Sequence, residues 1–262
     1  MKLLGFIRLA IIPFLILVTS CNQSHRDNKN QGSSIHSSSS PNIVLIYMDD
    51  LGWKDVGYAG STYYETPNID ALAASGMQFT RAYSPAPVCS PSRGAIVTGR
   101  TPARNKFTNV KFGGKNSTHD DALHEQSKQY GIGNQNIEAR LRHALGKENI
   151  LFAEKLRDAG YQTAYLGKWH NGGFEGFRPQ DRGYNYVAGT TIKRDGGFYD
   201  HLLNKESLKI LYNMPEAKEG DYLADLLTNH SLDFIDKNKD KPFLLHLSHY
   251  LVHGPVIPKK EL

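Results

Sequence analysis

The chain has 262 residues, 31 basic and 26 acidic side chains, a formal net charge of +5 and 39% apolar residues. That length holds one large domain or two small ones, and 14 tyrosines and 11 phenylalanines exclude a chain that is disordered throughout. The basic residues are scattered rather than blocked, which argues against nucleic-acid binding, and the two cysteines, Cys21 and Cys89, cannot make a disulfide scaffold.

In chain order, Lys2 and Arg8 bring positive charge to an apolar run, Leu9–Val18, that is interrupted by Pro13 and too short to span a bilayer. Residues 1–20 therefore read as a leader peptide rather than a transmembrane helix. The string Val18-Thr19-Ser20-Cys21 is where a lipoprotein signal would end. Cleavage before Cys21 would leave its thiol and amino group to take acyl chains, and two chains anchor stably where one does not. An ordinary secretory leader that is cut and lost is the alternative. Residues 21–41 are rich in Asn, Gln, Ser and His and form a flexible tether. The expectation is an exported protein, lipid-anchored to a bacterial membrane and facing the periplasm or the cell surface.

From Asn42 to Leu262 the composition is that of a folded domain. Ile43–Tyr47 is a β-branched apolar run, expected as a strand buried on both faces of a parallel sheet, and it empties into Asp49 and Asp50. Pro67–Gly76 predicts a short helix with Ile69, Leu72 and Ala73 on one face and Gly76 as its stop. Met77, Phe79 and Tyr83 alternate with polar residues and predict a strand. Ser90 could cap a helix with Pro91 in its first turn, placing Cys89 at the positive end. Residues 101–148 lack periodicity and read as a surface excursion. Asn149–Ala159 predicts a helix, Tyr161–Leu166 a strand leading to Lys168 and His170, Asp221–Lys237 a helix, and Phe243–Leu247 a strand leading to His253. Strands and helices in alternation predict an α/β fold, a largely parallel central sheet flanked by helices.

Asp49, Asp50, Lys168, His170 and His253 all fall just past the C-terminal ends of expected strands, the edge of an open α/β sheet where ligands bind. Two adjacent carboxylates repel each other unless a cation lies between them, and a hard, oxygen-preferring ion such as calcium suits them. Taken singly, each of these residues is as well explained by a solvated turn or a core position. Cys89 by itself is as well explained as a small buried hydrophobe.

Cys89-Ser90-Pro91-Ser92-Arg93 resembles the sulfatase signature C-x-P-S-R. Asn42–Gly52, Thr66–Asp70, Gly160–Thr163, Gly167-Lys168-Trp169-His170 and His253 with Pro255 look like segments of the formylglycine-dependent sulfatases, in the same order. The resemblance implies the alkaline phosphatase-like fold and hydrolysis of sulfate esters, of sulfated carbohydrate or an aryl sulfate. It implies that a maturation enzyme oxidises Cys89 to formylglycine, whose hydrate attacks sulfur. Asp49, Asp50 and residue 89 would bind calcium, and Arg93 would support the modified side chain. Lys168 would grip a sulfate oxygen, His170 would take the proton that re-forms the aldehyde, and His253 would protonate the leaving alcohol. The family's further calcium ligands, an Asp followed by Asn or His, and a second sulfate-binding lysine have no counterpart between His253 and Leu262. The chain therefore reads as the N-terminal part of such an enzyme, with the C-terminal part missing. A phosphonate or phosphodiester hydrolase with the same modified cysteine, or an inactive anion-binding protein, stays open on the sequence.

Overall fold

The computed structural model describes residues 40–110, 144–191 and 200–259. The leader, Cys21 and nearly all of the tether lie outside them, as does the middle of the 101–148 excursion. Among the described residues no helix is long and apolar enough to cross a membrane.

Four strands, β1 (Ile43–Tyr47), β2 (Gln162–Gly167), β3 (Tyr186–Ala188) and β4 (Phe243–Ser248), form one sheet in the order β1-β4-β2-β3 with every pairing parallel. The helices of the described residues are α1 (Pro67–Ser75), α2 (Cys89–Thr98), α3 (Pro102–Asn105), α4 (Phe152–Asp158), α5 (Lys205–Leu208) and α6 (Leu223–Asn238). The α/β expectation thus holds.

The strand period of two sorts the central strands onto two cores. Ala164 and Leu166 of β2 and Leu245 and Leu247 of β4 face one side, with Leu223, Leu227 and Phe234 of α6 packed over them. Tyr165 of β2 and Leu244 of β4 face the other, with Val97 of α2 and Ala153 of α4. Both faces of β2 and β4 are covered, so both strands read as near-continuous apolar runs.

Several expected elements differ in place or burial. β1 occupies Ile43–Tyr47 as predicted but, among the described residues, pairs with β4 alone, and Val44 and Ile46 are 49% and 53% exposed rather than buried on both faces. A hydrophobic run states that a strand can be buried, not which elements cover it. Helix α1 runs as expected, yet it buries none of its residues, and Leu72 points outward. Met77–Tyr83 forms no strand; Met77, Phe79 and Tyr83 are exposed and, among the described residues, no ladder receives their backbone. Helix α2 begins at Cys89 itself after an extended Val88, without a side-chain cap from Ser90. Helix α4 begins three residues later than Asn149, because the Glu154 carboxylate accepts the Leu151 backbone N–H 2.8 Å away and stops the chain there. The ends of the 101–148 excursion are core, with Phe107 and Leu145 buried. Strand β3, three residues long, carried no periodicity to announce it.

His246 of β4 is the polar member of the second core. Its ring packs against Tyr165 and Phe152, and its Nδ1 is 3.1 Å from the Tyr184 hydroxyl. Burial, and then the charge of Arg93, push this imidazole from 6.5 down to about 3. His170 and His249 are shifted in the same direction, burial being the first cause. As the pH falls through 6.5, an unfolded chain takes up protons that these folded side chains refuse. Stability contributed by the neutral rings of His246 and His170 is therefore full above 6.5 and is lost as the pH drops toward 3, at up to ~1.4 kcal/mol per pH unit for each ring, and His249 adds a loss of the same sign. In urea unfolding at pH 7 and pH 5, His246→Phe is expected to cost about 1–3 kcal/mol at pH 7, because the buried Tyr184 hydroxyl loses its partner. The same variant should lose less on acidification than the native chain.

Candidate active site

Three strand ends and one helix start meet at the C-terminal edge of the sheet. Tyr47, Gly167 and Ser248 lie side by side in register, so the residues after each strand emerge together. Backbone bonds bind these exits to one another: Asp49 N–H donates to Leu251 O at 2.7 Å, Val252 N–H to Asp49 O at 2.6 Å, and Lys168 N–H to Ser248 O at 2.8 Å. Gly167, with φ 97°, has to be glycine, since a Cβ there would lie 2.0 Å from Ser248 O.

At the centre is Asp49, buried at the end of β1. Its Oδ1 is 3.0 Å from Arg93 Nη2, and its Oδ2 is bonded to Lys168 Nζ. Burial alone would push the Asp49 carboxyl up; the charges of Arg93 and Lys168 outweigh it and hold the carboxyl below the usual carboxylate range. Arg93, one helical turn beyond Cys89 and 2% exposed, donates Nη1–H to Lys168 O at 2.7 Å and to Ser248 Oγ. Its guanidinium also stands 4.9 Å from the Tyr47 ring centre. The Ser248 and Tyr165 hydroxyls donate to the same Lys168 carbonyl. Sequence reasoning missed these two, because a serine and a tyrosine inside apolar strands look like packing.

Cys89 is the first residue of α2, with its Sγ 3.2 Å from His170 Nδ1. Burial, then the charges of Lys168 and Arg93, lower the His170 imidazole to about 3, so it is neutral at pH 7, the form a proton acceptor needs. His170 and Asp50 both hold left-handed backbone, φ 52° and 58°, a conformation that is costly for side chains other than glycine and concentrated at functional sites. His253 is placed with its Nε2 3.6 Å from Asp50 Oδ2. The structure therefore brings Asp49, Arg93 and Lys168 into one ionic cluster, Cys89 against His170, and His253 against Asp50.

Calcium fits this donor set only in part. Asp49 and Asp50 are hard oxygen donors in one place, but such an ion takes about six to eight oxygens, and both Asp49 oxygens are already paired with cations. Among the described residues no group of three or more His, Cys, Asp or Glu side chains gathers as metal ligands.

The Sulfatase family model matches residues 41–261. The chain belongs to the sulfatase family. Mouse (Mus musculus) N-acetylgalactosamine-6-sulfatase is 34% identical over 244 residues, which cover 84% of this chain and 41% of that protein. The N-acetylgalactosamine-6-O-sulfatase of Bacteroides thetaiotaomicron is 28% identical over 95% of this chain and 54% of its own length. Among solved structures, Ps i-CgsB in complex with k-i-k-neocarrahexaose aligns with a TM-score of 0.67 at 31% identity, over 85% of this chain and 48% of that one. This sulfatase-family chain thus spans about half the length of the relatives it matches.

The ionic cluster yields a stability prediction. Removing one partner of a buried charge leaves the other uncompensated, at a cost of ~3–5 kcal/mol. Asp49→Asn should lose that much in urea unfolding, because it takes away the counter-charge that Arg93 and Lys168 share, whereas Arg93→Met, which keeps the Asp49–Lys168 pair, should cost less.

Proposed function

We propose that this protein supplies the nucleophile half of a sulfuric-ester hydrolase acting on sulfated carbohydrate, with formylglycine made from Cys89 as the reacting group. The observation that carries this reading is the Cys89–His170 contact at the start of α2, beside the Asp49–Arg93–Lys168 cluster. The names of the mouse and Bacteroides relatives, both sulfatases of N-acetylgalactosamine, support a sulfated amino sugar as substrate class.

In this reading the thiol marks the position of the modified side chain, matured by a formylglycine-generating enzyme. One hydroxyl of the hydrated aldehyde forms a bond to sulfur as the bond from sulfur to the sugar oxygen breaks. His253 gives the departing oxygen its proton, and Lys168 holds a sulfate oxygen as a point charge. His170 then takes the proton of the second hydroxyl; the carbonyl re-forms and the carbon–oxygen bond to sulfate breaks. A sulfated serine would lack that second hydroxyl and would stall as a stable ester. Arg93 fixes Asp49 and the Lys168 main chain. Asp49 and Asp50 would hold one flank of a calcium ion, with its other ligands supplied from outside the described residues; when bound, the ion would neutralise sulfate oxygens. Upstream, Cys21 would carry lipid and hold the domain on a bacterial membrane, by default on its periplasmic side, through the tether to residue 41.

Two experiments test this. Coproduced with a formylglycine-generating enzyme, the chain within its full-length polypeptide should show an aldehyde mass in the Cys89 peptide and release sulfate from an N-acetylgalactosamine sulfate or an aryl sulfate. Cys89→Ala should lower that rate about a thousandfold or more. An unaltered thiol after coproduction, or faster release from a matched aryl phosphodiester, overturns the assignment. In the same host, Cys21→Ser should move the protein from the membrane fraction to the soluble fraction.

A further inference from the structure

His201 belongs to none of the motifs above, yet it is 2% exposed and its Nε2 lies 2.7 Å from the main-chain oxygen of His253. A carbonyl can only accept, so Nε2 carries the hydrogen and donates. The residue is itself firmly held. Leu223 N–H donates to His201 O at 2.9 Å, Leu203 N–H donates to Asp221 O at 2.9 Å, and Leu202 forms a bridge with Tyr222. These contacts fix His201 to the start of α6, which packs on the sheet.

The segment leaving β4 is tied at its near end by the backbone bonds between Asp49 and residues 251 and 252, and by the Tyr250 hydroxyl on Gly189 O at 3.0 Å. His253 N–H donates to Tyr250 O at 3.0 Å, and its carbonyl lies beyond these ties, the residue half-buried at the rim of the site. The His201 bond grips the backbone of the very residue whose imidazole stands 3.6 Å from Asp50.

We infer that His201 is a positioning residue for His253: by clamping the His253 carbonyl it sets where that imidazole stands relative to Asp50 and the Cys89 centre. The chemical consequence rests on the hydrolase reading, in which His253 protonates the leaving group; the clamp itself does not.

The test compares the native chain with His201→Gln, which keeps a donor near the Nε2 position, and His201→Leu, which fills space without one. Hydrogen exchange followed by mass spectrometry should show the His249–Ile257 peptide exchanging about tenfold faster in His201→Leu and near the native rate in His201→Gln, as expected for loss of one buried hydrogen bond. In the matured full-length protein, His201→Leu should lower kcat/KM about tenfold for a sulfate ester with a poor, sugar-like leaving group. With a nitrophenol, which departs without a proton, the loss should be less than about twofold. His201→Gln should restore both. Unchanged exchange in His201→Leu, or His201→Gln behaving like it, overturns the clamp. Equal loss with both leaving groups overturns the link to proton donation. A native protein without sulfate-ester hydrolysis overturns the hydrolase reading, and the exchange data then still decide the clamp.

Discussion

A single buried carboxylate organises this end of the molecule. Asp49 cannot stay ionised in the interior unless cations surround it, and Arg93 from α2 and Lys168 from the end of β2 do so from two directions. Each cation is in turn fixed by the element it comes from: Arg93 reaches the Lys168 carbonyl and Ser248, so one guanidinium joins α2 to the exits of both central strands. Such a cluster is a weak source of net stability, because desolvation offsets most of its attraction. What it supplies is position. If these charges pair in only one way, Cys89, one turn before Arg93, has only one place to stand.

Strain falls at the same spot. Gly167 takes up the close approach of β2 to β4, and three residues later His170 turns back in the left-handed region to meet the Cys89 sulfur. Asp50 makes the same turn after Asp49. The adjacent backbone bonds from Asp49 to Leu251 and from Val252 to Asp49 over-determine these conformations and hold them against relaxation.

Legibility in the sequence followed how much of the signal is local. Helix α6 and strands β2 and β4 were readable because their apolar spacing reports burial against neighbours on both faces, and their bounds agree with expectation to within a residue or two. Among the described residues, Met77–Tyr83 had the right alternation and no ladder to join, and β1 had the right composition but one neighbour. Strand character is a promise that a partner must redeem, whereas a helix bonds within itself. The candidate site was legible as a list of residue types after strand ends. Ser248, Tyr165 and His201 were not, since a hydrogen bond between residues far apart in the chain leaves no spacing to detect.

The sequence by itself determined the family and the α/β alternation and supplied the candidate site residues, because these depend on residue type and on order along the chain. Only the tertiary structure decided which of them touch. That Arg93 serves Asp49 and that the Cys89 sulfur faces His170 rather than Lys168 are consequences of sheet order and register, which bring residues 49, 89, 168 and 253 together through space. Register is set by the summed packing of both cores, a property of the whole chain that no local stretch contains.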